Sequence, residues 1–384
     1  MNKKAIAILG AIFLLIVGTL GFLIYSKYSV KDNTTTTNSS TTTPDSGIIG
    51  DPVENPDTII PETPTDSVVK LTESEVVSPA LFFDGSGITY FDIQGNLFQS
   101  VIQNDNGKVS LTGKKQLDIP QKQNITKVLW PAKGSDFIVE FKGSTGKRLF
   151  SYFNSVTQLY TDLPEQVYSL DWMPNGNQIM YTWLENNKST LNLSDGDTKN
   201  WKYLADMWEN DDALAISPDG TQLIYYETEN TGTSNPINSV TSDGKIWKTL
   251  VKTGQNIGAL WSPDGQKFLF AKKDLTSLKY QLWVYNLTSE EVKNLGFFST
   301  PEKAVWDKDS NVVYVSVPSL NTSSNEVLTQ DSFFRMDTTT LEKKEYTSSS
   351  MTLDGRNLFL NSTSDKLFFK NAQDGALYYL DLTK

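Results

Sequence analysis

Apolar residues from position 67 onward in this chain do not recur at helical spacing. They come in short runs of three to six, separated by turns rich in Asp, Asn, Gly and Pro. The clearest instance is ALWSPDGQKFLFA at 259–271: an aromatic residue, a Pro-Asp-Gly turn, then an apolar strand. Aligning copies on the opening residue gives seven anchors, Leu81, Trp130, Trp172, Ile216, Trp261, Trp306 and Leu360, spaced 49, 42, 44, 45, 45 and 54 residues apart. The fourth residue after the anchor is Gly in five copies (Gly85, Gly134, Gly176, Gly220, Gly265), where a tight hairpin needs positive φ. Pro174, Pro218 and Pro263 sit two residues before that glycine and pre-set φ for the turn.

Residues seven to nine after each anchor are apolar in all but one case, Thr89, so a buried strand follows every turn. A third strand follows in most units, as in RLFSYF (148–153), YQLWVYNL (280–287) and ALYYLDL (376–382). A fourth closes each unit, as in KIWKTLV (245–251). Four strands per period of about 45 residues predict β-propeller blades. The expected fold class is therefore all-β, a seven-bladed β-propeller over residues 67–384 with four-stranded blades. The last unit, from Leu360 to Lys384, has room for three strands only. Leucines of the internal fourth strands (Leu117, Leu159, Leu204, Leu250, Leu295) precede the next anchor by 11–13 residues, and Leu71 precedes Leu81 by 10. Val68–Thr72 is thus expected to be the outer strand of the last blade, borrowed from the start of the domain to cover an open edge.

The pattern before residue 67 is different. Residues 5–25, AIAILGAIFLLIVGTLGFLIY, are 21 uncharged and mostly apolar residues, long enough as a helix to cross about 30 Å of hydrocarbon. No A-x-A-like site closes the run, so residues 1–28 read as a short cytoplasmic end and a retained signal anchor. Lys3 and Lys4 favour a cytoplasmic N-terminus, against Lys27 and Lys31 on the far side. Residues 29–66 follow as a Thr/Ser/Pro-rich linker; too few apolar side chains are present to offset chain entropy, so it is expected to be disordered. The expected localisation is a single-pass membrane protein, held in the membrane by residues 5–25, with the propeller on the extracytoplasmic side.

Charge and chemistry narrow the function. The chain carries 34 Lys and Arg against 45 Asp and Glu, a net charge of −11, with no basic patch, so no nucleic-acid partner is expected. It has neither cysteine nor histidine, which leaves no disulfide, no Cys/His zinc site and no Ser-His-Asp triad. No G-x-x-x-x-G-K-[ST] or G-x-G-x-x-G loop is present, and no cofactor is expected. SDGDTKNW (194–201) and QNDNGK (103–108) look like calcium loops but lack the spaced carboxylates and distal Glu of an EF-hand, so both read as ordinary turns. Asp219 and Asp264 are expected to accept hydrogen bonds from turn amides, with Asp84 and Asn175 acting likewise. Trp130, Trp172, Trp261 and Trp306 share one blade position, which points to packing between neighbouring blades.

ISPDG at 216–220 and WSPDG at 261–265 resemble the TolB-type propeller repeat; WMPNG (172–176) and WPAKG (130–134) match it in part and the outer copies poorly. That resemblance implies the fold and a leaning toward protein binding, and carries over no partner-binding residue.

One segment, MWENDD at 207–212, has no counterpart in other units and lies in an inter-blade connection, where propellers commonly bind ligands. Trp208, Glu209, Asp211 and Asp212 are therefore the candidate ligand- or partner-binding residues, an aromatic beside carboxylates suiting a sugar or a basic peptide. The insertions 228–239 and 317–332 are expected to project from a disc face. The leading expectation is a non-enzymatic interaction module bound to an unidentified envelope protein or surface glycan. The alternative is a carboxylate-dependent carbohydrate-active hydrolase, which requires two Asp/Glu residues facing each other across the axial cleft.

Overall fold

The computed structural model describes residues 67–82, 84–207, 212–227, 234–319, 328–346 and 351–384. Each predicted unit folds as one four-stranded antiparallel sheet, and seven such sheets follow one another. Blade 1 runs over 77–116, blade 2 over 125–162, blade 3 over 167–207, blade 4 over 212–251, blade 5 over 256–294, blade 6 over 304–346 and blade 7 from 355.

Antiparallel order within a blade puts the first-to-second and third-to-fourth turns on one face of the disc, the turn face. The second-to-third loops and the inter-blade connections lie on the other, the loop face. Each turn on the Asp-Gly motif is closed by the same bonds. In blade 5, Gly265 N–H donates to the Ser262 carbonyl at 2.8 Å, while Asp264 Oδ1 accepts from Gln266 N–H at 3.0 Å and from Ser262 Oγ at 2.5 Å. Asp219 repeats this with Thr221 N–H and Ser217 Oγ, and Asp84 and Asn175 accept from the amides of Ser86 and Asn177. All five motif glycines take φ between 67° and 94°; Ser310 and Ser364 hold the same left-handed conformation in the two copies without glycine.

Blade 7 closes as expected. Its first three strands are Gly355–Leu360, Lys366–Asn371 and Leu377–Asp381, and its fourth is Val68–Lys70 from the start of the domain. Val68 faces Leu380, Val69 faces Tyr379 and Lys70 faces Tyr378. Leu71 N–H donates to the Leu377 carbonyl at 2.8 Å, and Asp381 N–H to the Ser67 carbonyl at 2.8 Å. Val68 is fully buried, and Lys70 pairs with Asp374 at 3.0 Å.

The core consists of seven apolar layers, each between two neighbouring sheets. The recurring tryptophans bind these layers. Trp172 Nε1–H donates to the Leu129 carbonyl (2.9 Å), Trp261 to Ala215 (2.9 Å) and Trp306 to Leu260 (3.1 Å), in each case the residue just before the preceding blade's anchor. Trp130 reaches the Ser78 carbonyl at 2.8 Å, two residues off that position, within the bulge between Val77 and Ala80. Blade 4 has Ile216 where an indole would stand. There Asp171 of blade 3 takes over: its Oδ2 accepts from Ile216 N–H at 2.9 Å.

Two expectations are refined. The segment 228–239 is not wholly an insertion, since Ile237–Thr241 is the third strand of blade 4, bonded to strands on both sides. The segment 317–332 likewise contributes its ends to the second and third strands of blade 6, Val312–Pro318 and Asp331–Asp337. Among the described residues no helix is long and apolar enough to cross a membrane; the predicted anchor, 5–25, lies outside them.

Candidate functional site

Trp208, Glu209 and Asp211 lie outside the described residues. Asp212 opens the first strand of blade 4, its backbone paired with Glu227. Two other places in the disc gather side chains able to do chemistry or bind, and both join residues far apart in sequence.

The first is a buried charge network on the loop face of blades 6 and 7. Lys303 ends a single 3-10 turn, Pro301–Lys303, in the connection into blade 6. Its ammonium donates to Asp331 Oδ2 and to Asp354 Oδ1, both at 2.6 Å, and to Thr329 Oγ1 at 2.9 Å. Asp331 and Asp354 are 1% and 0% exposed. Ser316 Oγ and Gly355 N–H also donate to Asp331, while Arg356 donates through Nε and Nη2 to both oxygens of Asp354 (3.1 and 3.0 Å). Burial pushes the Asp354 carboxyl up, but the hydrogen bonds and charges of Arg356 and Lys303 outweigh it and hold the group below the usual carboxylate range.

Because one ammonium bridges both carboxylates, they fall within the roughly 5 Å spacing of a retaining glycosidase pair. Spacing is where the likeness stops. Two cations neutralise two anions, and both acids are sealed from solvent, so the arrangement ties three chain segments together and presents no acid to a substrate.

The second place is a groove of about 680 Å³ on the outer part of blade 3. Strand alternation builds it. Tyr181 and Trp183 are two residues apart on the second strand, Gln178–Glu185, and so share a face; opposite them on the third strand, Lys188–Asp195, stand Asn192 and Thr190. Tyr203, across from Asn192, continues that face on the fourth strand, and Trp201, just before that strand begins at Lys202, lines the groove beside it. The inner part of the face packs on blade 2 through Tyr181, Leu170, Phe150 and Ile138. Blade 2, however, ends in a four-residue strand, Leu159–Asp162, against six residues in the fourth strand of blade 3. Its outer edge therefore leaves the rings uncovered: Trp201 is 65% and Tyr203 49% exposed. Glu185 stands at one end, accepting from Trp183 Nε1–H at 3.3 Å.

None of these residues was singled out for binding in the sequence, yet a signal existed. Tyr181-Thr-Trp183 and Trp201-Lys-Tyr203 each place two aromatic rings on one side of a strand. SDGDTKNW, read as a turn, is one: Asp197 pairs with Lys199 at 2.6 Å, Asp195 accepts from Asn200, and its last residue is Trp201.

A third cavity, about 840 Å³, opens between blades 1 and 2 along Leu97, Leu117, Trp130, Phe137 and Phe153. Two acids line it, Asp118 and Asp136, and Asp136 is already engaged by Tyr152 Oη–H and by Ser155 through N–H and Oγ. Among the described residues no three His, Cys, Asp or Glu are placed to hold a metal ion.

No protein-family model and no curated protein sequence matches this chain. Solved structures do match in shape. An oligogalacturonate lyase from Vibrio parahaemolyticus superposes with a TM-score of 0.61 at 10% identity, over 82% of this chain and 93% of the lyase. An oligogalacturonate lyase in complex with manganese gives 0.57 at 11%, over 82% and 93%. The β-propeller domain of Cps50 from Myceliophteria thermophila gives 0.55 at 9%, over 82% and 99%. At such identities the likeness establishes a common fold: the chain is a seven-bladed β-propeller.

Proposed function

We propose that this protein is a membrane-anchored, extracytoplasmic binding module that holds an envelope protein or a surface polymer without transforming it. The observation that carries the reading is the open aromatic face of blade 3, where Trp201 and Tyr203 stand in solvent beside Trp183. The apolar run 5–25 and the linker 29–66 supply the anchor and tether in this reading. Trp208, Glu209, Asp211 and Asp212 are proposed as a second contact region.

Crosslinking on intact cells carrying the full-length chain, followed by identification of what attaches, tests the proposal. A defined adduct whose yield drops in Trp201→Ala supports it, as does cleavage of the propeller by protease added outside the cells. Turnover of a glycan that vanishes in Glu209→Gln or Asp212→Asn, with no adduct formed, would replace it by the hydrolase reading.

A further inference from the structure

We propose that the blade 3 groove is a carbohydrate site that takes an uncharged oligosaccharide. The inference rests on the reading of this face as a binding surface and adds the chemistry of its occupant. Three properties of the groove select that chemistry. Its walls alternate indole and phenol rings, from Trp183, Trp201 and Tyr203, with hydrogen-bonding groups, from Thr190, Thr198 and Glu185, while Asn192 is buried and donates to Thr190 Oγ1 at 3.0 Å. A sugar ring has the matching pair of surfaces, a C–H face that lies on an aromatic ring and an edge of hydroxyls that donate and accept.

The floor is the face of the second to fourth strands of blade 3, which are bonded to one another. Across that face no backbone N–H or C=O is free, so a peptide lying in the groove gains only side-chain contacts; backbone groups are left open only along the outer edge of Lys202–Met207. Charge settles the rest. No cation lines the groove, Glu185 sits at its end, and the chain carries −11, so a polyuronate or a phosphate-bearing chain meets repulsion without a counter-charge. A neutral chain meets none.

Isothermal titration of the full-length protein, with N-acetylglucosamine tetramer, cellotetraose, tetragalacturonate and tetralysine as probes, tests this. Saturable binding of at least one neutral tetramer is expected, weakened about tenfold or more by Trp201→Ala, a surface change that leaves the melting curve in place. Tetragalacturonate is expected to bind at least about tenfold more weakly than the neutral ligand, and Glu185→Lys to narrow that gap. The inference is overturned if neither neutral tetramer saturates, if Trp201→Ala binds as the wild type does, or if tetralysine alone binds at the groove. A protein adduct on cells together with no sugar binding would overturn this inference while leaving the binding-module reading standing.

Discussion

At the scale of single residues, the turn glycines do two separable jobs. All of them supply positive φ, but only some also allow a neighbouring turn to come close. A Cβ on Gly176 would meet the Lys133 carbonyl oxygen of blade 2 at 2.0 Å, whereas one on Gly265 finds nothing nearer than Pro218 Cδ at 3.6 Å. Gly265→Ala should therefore cost only the left-handed penalty, about 1–2 kcal/mol. Gly176→Ala should cost clearly more, because backbone must move. Urea midpoints of the two variants check the difference. Asp171 makes a second residue-scale case. Burial raises its carboxyl above the ordinary value, more than the amides of Ile216 and Trp172 and the charge of Lys127 lower it. A raised folded pKa means that the stability it lends is fully present below the unfolded pKa near 3.8 and is lost as pH rises through the folded value. Asp171→Asn has no charge to bury but keeps one acceptor for two amides, so its stability relative to wild type should be greater at pH 7 than near pH 3. Thermal melts at the two pH values check the sign.

At the scale of elements, the Lys303 network joins a connecting turn to the third strand of blade 6 and the first strand of blade 7. Lys303→Met leaves the buried Asp331 carboxylate without a cation, while Asp354 keeps Arg356, and should cost about 3–5 kcal/mol. Adding Asp331→Asn should restore much of that loss, because the cost lies in unpaired charge. Chemical denaturation of the single and double variants decides it. Asp354 has a depressed folded pKa, so its contribution is present above the unfolded pKa near 3.8 and lost as pH falls through the folded value. This opposes Asp171, and separate variants are needed to resolve the two. The network had no sequence motif, since its members stand 28 and 23 residues apart, Lys303 and Asp354 in connections and Asp331 at the start of a strand. The groove was half legible. Two aromatic pairs at period two placed rings on a strand face, but whether that face is covered depends on the length of blade 2's last strand.

At the scale of the molecule, closure joins residues about 300 apart. Val68–Lys70 bonds to Leu377–Asp381, and Val109 N–H of blade 1 donates to Tyr379 Oη of blade 7 at 3.1 Å. Removing residues 67–74 uncovers the edge of the last blade and exposes its apolar face. Burying Val68 alone contributes about 1.5–3 kcal/mol, and ladder bonds add to it, so the melting temperature should fall by about 5 °C or more. An unchanged melt would mean that this strand does not hold the ring shut.

The number of blades, the hairpin turns, the inter-blade place of the tryptophans and the borrowed strand were all determined by sequence. Each is a local rule repeated seven times: a glycine at positive φ, an apolar run of fixed spacing, a count of strands that leaves the last unit one short. The tertiary structure alone decided that Asp171 substitutes for a missing indole, that Asp331 and Asp354 are neutralised and sealed, and that Trp201 and Tyr203 stay open to solvent. Exposure and ion pairing depend on which residues a neighbouring blade brings near, and along the chain those neighbours lie tens of residues away.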